Sequence, residues 1–395
     1  MTSPAVPEAR SAASLADVMA AMESLYPARL AEDWDAVGLV CGDPDRPVRR
    51  VLVAVDPVAA VVDEALAMRA DVLITHHPLF LRGVHGVATT TAAGRVVTRL
   101  IEGGCALLAA HTNADAARPG VSDALAATLG LREVRPLQRQ PESEPQRLLI
   151  TYVPQDHVKA VLDAAAAAGA GQVGDYRRCA FTSTGTGTYD SPPDGNPFIG
   201  APGERGHASE VRIEMTLGDR DVARVVAAVL ASHPYDEPAY EVVPVVASPR
   251  RTGIGRVGRL DAALSLAEFA ALVAERLPAT AHGVRVAGDP GCAVSLVAVC
   301  GGSGDSLLGD VVSAGADAYL TADLRHHRAL DHRADGGCAL VDVAHWASEW
   351  PWCPHVAQLL PAAVTAVAGP QAATVEVTVS RIPTDPWTMH VRSVE

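Results

Sequence analysis

His76 and His77 close the apolar run Asp71-Val-Leu-Ile-Thr75 and are followed at once by Pro78. A short apolar, β-branched run bounded by a turn signal reads as a buried strand. A parallel strand ending in two imidazoles delivers them to the crevice outside the carboxyl edge of an open α/β sheet, where such sheets bind ligands. Imidazole is largely unprotonated at neutral pH and ligates many transition metals. Further donors follow other strand-like runs. Cys105–Ala110 leads into His111-Thr-Asn-Ala-Asp115, and Gly337–Ala344 leads into His345, with Glu349 four residues on. If a helix begins near His345, that spacing sets imidazole and carboxylate one turn apart on one face. A further run, Val51–Val55, stops at Asp56-Pro57.

His76, His77, Asp115, His345 and Glu349 are more donors than one closed tetrahedral site takes. They suit two divalent metals with coordination positions left open, an arrangement that acidifies water and clamps an oxyanion. Mixed imidazole and carboxylate ligands fit Zn, Fe, Mn or Ni without choosing among them. Each group also has an ordinary structural reading. A strand-end His pair can open a polar loop, His345 and Glu349 can form a helix pair worth about 0.2–0.5 kcal/mol, and Asp115 can cap a helix or make a turn. The coincidence of three strand ends carrying the donor types of one hydrolytic site speaks for the metal.

The same residues carry a resemblance. Asp71-Val-Leu-Ile-Thr-His-His-Pro-Leu-Phe80, Ala110-His-Thr-Asn-Ala-Asp115 and Val343-Ala-His-Trp-Ala-Ser-Glu349 resemble the signature blocks of the GTP cyclohydrolase 1 type 2 family, also called Nif-three-like. Trp34-Asp-Ala-Val-Gly-Leu39 is similar to its N-terminal block. Gly301-Gly-Ser-Gly304 and Asp317-Ala-Tyr-Leu-Thr-Ala-Asp323 are similar to its C-terminal half. The blocks keep the family's order from about Ser14 to near the C-terminus. The resemblance implies that His76, His77, Asp115, His345 and Glu349 are dimetal ligands in a homohexamer, a ring with its sites facing an inner cavity. Ala36 stands where the family usually has Asn, and Ala322 where Gly is common. Neither is a proposed ligand, so the departures bear on the substrate pocket alone.

Composition sets the limits. A chain of 395 residues has room for roughly two to three domains. Apolar residues make up 49% and aromatic ones only 4%, so the cores must rest on Ala, Val and Leu. A net charge of −14 argues against general nucleic-acid binding, which needs a basic patch. A small anionic substrate stays compatible with it, because bound metals invert the local field. Seven cysteines at irregular spacing, without a Cys-x-x-Cys, indicate free thiols and a reducing compartment. Residues 1–13 lack the pattern of a secretory signal and read as a disordered lead. No apolar stretch is long enough for a membrane span, and the chain reads as cytoplasmic.

The fold expected is α/β: a discontinuous two-part core interrupted by an inserted domain. Residues 14–134 form the first half, with helices over Ser14–Leu25, Ala59–Arg69 and Ala92–Gly103 and another opening near Ser122. Ser14 is the natural N-cap of the first. Gln138–Gln146, rich in Gln, Pro and Glu, reads as a linker. Residues 147–245 then read βαββαβ, the split pattern of ferredoxin-like folds. Here Arg177–Tyr189 is strand-like, Asp190–Ser209 is a loop, and Glu210–Thr216 alternates as a half-exposed strand does. The segment resembles the PII-like insert of the family's long form, notably at Asn196-Pro-Phe-Ile-Gly200 and His233-Pro-Tyr-Asp-Glu-Pro-Ala-Tyr240. His233, Asp236 and Glu237 invite a second metal, but two flanking prolines make a turn the better reading. Residues 248–395 resume the α/β pattern. Gly301–Gly304 reads as a tight strand–helix turn or a phosphate cradle. His326 and His327 follow the strand Asp317–Asp323. His327 is taken as the candidate catalytic group, although a solvated helix start accounts for the pair equally.

Two functions follow. The first is a metal-dependent hydrolase of nucleotide-like small molecules, with GTP ring opening implied by the resemblance and phosphoester hydrolysis as its plainer variant. The second is a non-enzymatic metal-handling or regulatory scaffold, with the insert sensing a small ligand.

Overall fold

The computed structural model describes residues 11–139, 146–173, 176–245 and 252–391. Two compact units divide the chain: residues 1–140 with 251–395, and residues 141–250.

Among the described residues, the first unit has two large sheets and a small three-stranded one. One has the order Glu376–Val379, Arg50–Ala54, Val72–Thr75, Ala106–Ala109, Gly38–Cys41. Its first four strands are parallel, and the last is antiparallel. Its three inner strands read as continuous apolar runs because both faces are covered. Val51 and Val53 enter a core containing Leu15, Val18, Trp352 and Val356. Leu52 and Ala54, alternating with them, enter a second core with Val61, Ala65, Val96 and Leu100. The other sheet runs Val284–Ala287, Ala339–Val343, Ala318–Ala322, Ala293–Ser303, Gly253–Ser265, Arg132–Arg139. Its central three strands are parallel.

The two stretches of chain exchange strands. Glu376–Val379, from the C-terminal stretch, pairs with Arg50–Ala54, while Arg132–Arg139, from the N-terminal stretch, pairs with Gly253–Ser265. Arg256 adds a tie. Its buried guanidinium bonds the Gly253, Gly255 and Ala117 carbonyls and pairs with Asp123 at 2.6 Å.

Local signals explain most element limits. Ser14 caps the helix Leu15–Leu25 in a reciprocal box with Asp17. The helix Ala59–Ala67 stops short of the expected Arg69, whose φ of 53° leaves the helical region. Other expectations need correction. Residues 1–10 of the expected lead lie outside the described residues, but Ser11–Ser14 is a strand pairing with Pro47–Val48 and Ala372–Ala373. The first half does not end at Val134, and the expected linker begins inside a strand. Arg132–Arg139 stays paired up to Arg139, opposite Gly253, because the returning chain supplies its partner. Residues 140–145 of that linker lie outside the described residues.

The second unit has the order βαββαβ: Gln146–Pro154, Val158–Ala167, Phe181–Asp190, Arg205–Gly218, Val222–Ser232, Tyr240–Pro244. Its antiparallel sheet runs Tyr240–Pro244, Gln146–Pro154, Arg205–Gly218, Phe181–Asp190. Both helices bury one apolar side against Leu149, Val153, Val211 and Ile213. The expected loop Asp190–Ser209 is shorter than its Pro and Gly content suggests. Residues 205–209 extend the hairpin by pairing with residues 186–190.

Candidate metal centre

Three strand ends of the first unit bring one set of donors together. The strand Val72–Thr75 ends in His76 and His77, and Ala106–Ala109 leads to His111 at the head of the helix Thr112–Ala116, which carries Asp115. Ala339–Val343 leads to the helix His345–Glu349. The i, i+4 pair meets as helical spacing requires, with His345 Nε2 3.0 Å from Glu349 Oε1.

Among the described residues, two groups of donors have the spacing that could hold a metal ion: His76, His77 and His111, and His77, His345 and Glu349. His77 belongs to both. Its Nε2 lies 3.1 Å from Glu349 Oε2 and 3.3 Å from His345 Nε2. His76 Nε2 stands 3.5 Å from Glu349 Oε1 and 3.8 Å from Asp115 Oδ1.

Each imidazole is oriented by a second interaction through Nδ1. His76 Nδ1–H donates to the Ala110 carbonyl at 2.9 Å and His77 Nδ1–H to Asp56 at 2.7 Å. His111 Nδ1–H donates to Asp35 at 2.8 Å and His345 Nδ1–H to Asp323 at 2.6 Å. An oxygen on Nδ1 fixes the tautomer and turns Nε2, with its lone pair, into the centre. Asp56 also accepts from the Thr384 hydroxyl. Asp35 takes the Thr112 amide as well and is held well below the usual carboxylate range despite its burial.

Three buried polar atoms here have no hydrogen-bond partner: His76 Nε2, Asp115 Oδ1 and Glu349 Oε2. Orphaned buried polar atoms are costly. Two acceptor oxygens and one imidazole nitrogen facing each other are what a cation would satisfy, so the residues fit a metal. The electrostatics agree. Burial alone would lower the His77 pKa, but Glu349 and Asp56 push it up to about 11. Burial likewise opposes Glu349 and Asp323 at His345, which rises to about 10. The three imidazoles around Glu349 hold its carboxyl well below the ordinary value against burial. Asp115 is pushed up by burial, against the pull of His76. The pocket is a strong field for positive charge.

The five residues expected from the sequence lie together, with Asp115 at the edge next to His76. His327 is not joined to them. It is exposed in the first turn of the helix His326–Ala334 and makes a ring contact with His326. That position matches the solvated helix start, which accounts for the pair as well as a catalytic role does. His111 is not among the five expected ligands, although it obeys the same rule as His76: an apolar strand that runs into a histidine. Gly301-Gly-Ser303 is strand rather than turn. A Cβ on Gly302 would sit 2.4 Å from Glu349 Oε1 and 3.0 Å from His345 Nε2, and its φ is +69°. Its lack of a side chain makes room for the centre, and its amide bonds Ser348 Oγ at 2.8 Å.

Elsewhere, all seven cysteines are free. Among the described residues, no helix is long and apolar enough to cross a membrane.

A family profile described as Duf34/NIF3 (NGG1p interacting factor 3) matches residues 13–386. A Mycobacterium tuberculosis protein named GTP cyclohydrolase 1 type 2 homolog is 47% identical over 375 residues, covering 95% of this chain and 97% of its own length. Among solved structures, a Bacillus cereus protein related to NIF3 is 35% identical, with a TM-score of 0.68, covering 95% of this chain and 98% of its own. A Staphylococcus aureus protein, SA1388, is 29% identical, with a TM-score of 0.75 and the same coverage.

Proposed function

The chain belongs to the Duf34/NIF3 family, and from that premise we propose a dinuclear-metal hydrolase of nucleotide-like small molecules. His76, His77, His111, Asp115, His345 and Glu349 would together hold two neighbouring divalent ions, each imidazole serving one of them through Nε2. The observation that carries this reading is the convergence of orphaned His76 Nε2, Asp115 Oδ1 and Glu349 Oε2 beside four imidazoles already oriented through Nδ1. Divalent ions held there supply Lewis acidity for hydrolysis. The chain's own share is to fix the donors. Asp35, Asp56 and Asp323 lock three tautomers, Gly302 clears space, and the partial exposure of His77, His111 and His345 leaves one side open to a small molecule. The nucleotide class rests on the name of the mycobacterial relative. A homohexamer is proposed on the family resemblance alone, and light scattering on the purified chain tests it.

One observation favours the alternative, a metal-handling scaffold. Each oriented imidazole already has Nδ1 committed, and His327 has no bond to the centre, so no separate proton-transfer group is identified. Metal-loaded and chelated protein assayed against a panel of nucleotides and phosphoesters separates the two. Turnover that chelation abolishes and metal restores supports the hydrolase. A full metal complement without turnover supports the scaffold.

A further inference from the structure

We infer that Trp34 is a stacking platform for a planar heteroaromatic ring beside the metal centre, and thus a ligand-positioning residue of that site. The inference rests on the nucleotide-like substrate class proposed above. In a chain with only five tryptophans, Trp346 and Trp352 are buried, whereas Trp34 and Trp387 are exposed, Trp34 by 58%. An indole offers a large flat face for another ring to stack on. Its position is specific. The Trp34 ring meets His111 at a centroid distance of 5.8 Å and an interplanar angle of 80°, and His111 is one of the donors of the His76–His77 group.

The turn that carries Trp34 is pinned rather than loose. The next residue, Asp35, has a buried side chain. It accepts from His111 Nδ1 at 2.8 Å and from the Thr112 amide at 2.9 Å. Its own amide bonds the Glu32 carbonyl at 3.0 Å, and the Glu32 amide bonds Thr112 Oγ1 at 2.9 Å. One short segment therefore orients a metal donor and holds an open aromatic surface next to it. That pairing suits a ligand with a flat π-system and a polar group that reaches the metals. Stacking between a base and an aromatic side chain is sequence-tolerant and depends on ring area.

The test uses the metal-loaded full-length chain, with GTP as probe and inorganic triphosphate as the ring-free control, measured by isothermal titration calorimetry. Trp34→Ala should weaken GTP binding about tenfold or more. Trp34→Phe should recover most of it. Triphosphate affinity and metal content should be unchanged in both variants. Unchanged GTP affinity in Trp34→Ala beside a binding wild type overturns the platform and leaves the proposed function standing. A wild type that binds triphosphate as tightly as GTP, or neither, overturns the platform and the nucleotide class together. A lower assembly mass for Trp34→Ala would also overturn it, marking the indole as a contact between copies.

Discussion

Histidine sits near acidic residues in both units, with opposite outcomes. In the first unit His76, His77, His111 and His345 each spend Nδ1 on an oxygen and turn Nε2 into a shared space. In the second, His233 spends both nitrogens. Nε2–H donates to the Tyr152 carbonyl at 2.9 Å, and Nδ1 accepts the Tyr235 amide at 3.1 Å. Nothing is left for a metal, and Asp236 and Glu237 are exposed instead of facing the ring. Carboxylates push His77 and His345 up, whereas burial pushes His233 down. Proximity in sequence to Asp or Glu says little about a histidine's role. What matters is which of its nitrogens is already satisfied.

The largest effect should come from the residue that faces three imidazoles. Glu349→Ala should abolish most bound metal, as should His77→Ala, because both candidate groups contain His77. His233→Ala should leave metal content at the wild-type level. Elemental analysis of the purified proteins reads all three, and metal loss in His233→Ala would erase the contrast between the units.

Next in size are the carboxylates behind the imidazoles. Asp56→Asn and Asp323→Asn should each weaken metal binding roughly 10- to 100-fold without unfolding the chain, measured by competition with a chromogenic chelator. No change in either would mean that the Nδ1 bonds do not orient the donors.

Gly302→Ala sharpens the steric side. A methyl there meets Glu349 and His345 and must adopt a positive φ, so a stability loss on the order of 1–3 kcal/mol should accompany reduced metal content. Thermal unfolding with and without chelator separates the two effects.

The smallest effects are pH dependences, and the units should differ in sign. In the chelated protein, pairing of His77 and His345 with Glu349 contributes stability that is complete below an ordinary histidine pKa near 6.5. It is lost only as pH rises through about 10 to 11. His233, lowered by burial, contributes stability that is present above about 6.5 and lost as pH falls below it. Unfolding of wild type and His233→Gln between pH 8 and pH 5 should show a smaller acid loss in the variant, the remainder coming from His332 and His355, which burial also lowers.

Much of the architecture is legible because it is local. The continuous apolar runs around Val51, Val72, Cys105 and Ala339 mark buried strands, and Ser14 announces a helix. The same grammar leads to His76, His77, His345 and Glu349, since a strand's end and a four-residue helical spacing are both written in the chain. Tertiary structure decided the rest. His111 joins the candidate group and His327 stays exposed, according to whether Asp35 or solvent meets the ring. That partner lies 76 residues away in sequence. Gly302 reads as a turn until Glu349 and His345 close over it. Arg139 reads as linker until Gly253 returns to pair with it. Periodicity records which side of an element is apolar. It carries no information about which distant group will satisfy one nitrogen of a ring, and on that hydrogen bond the availability of the other nitrogen depends.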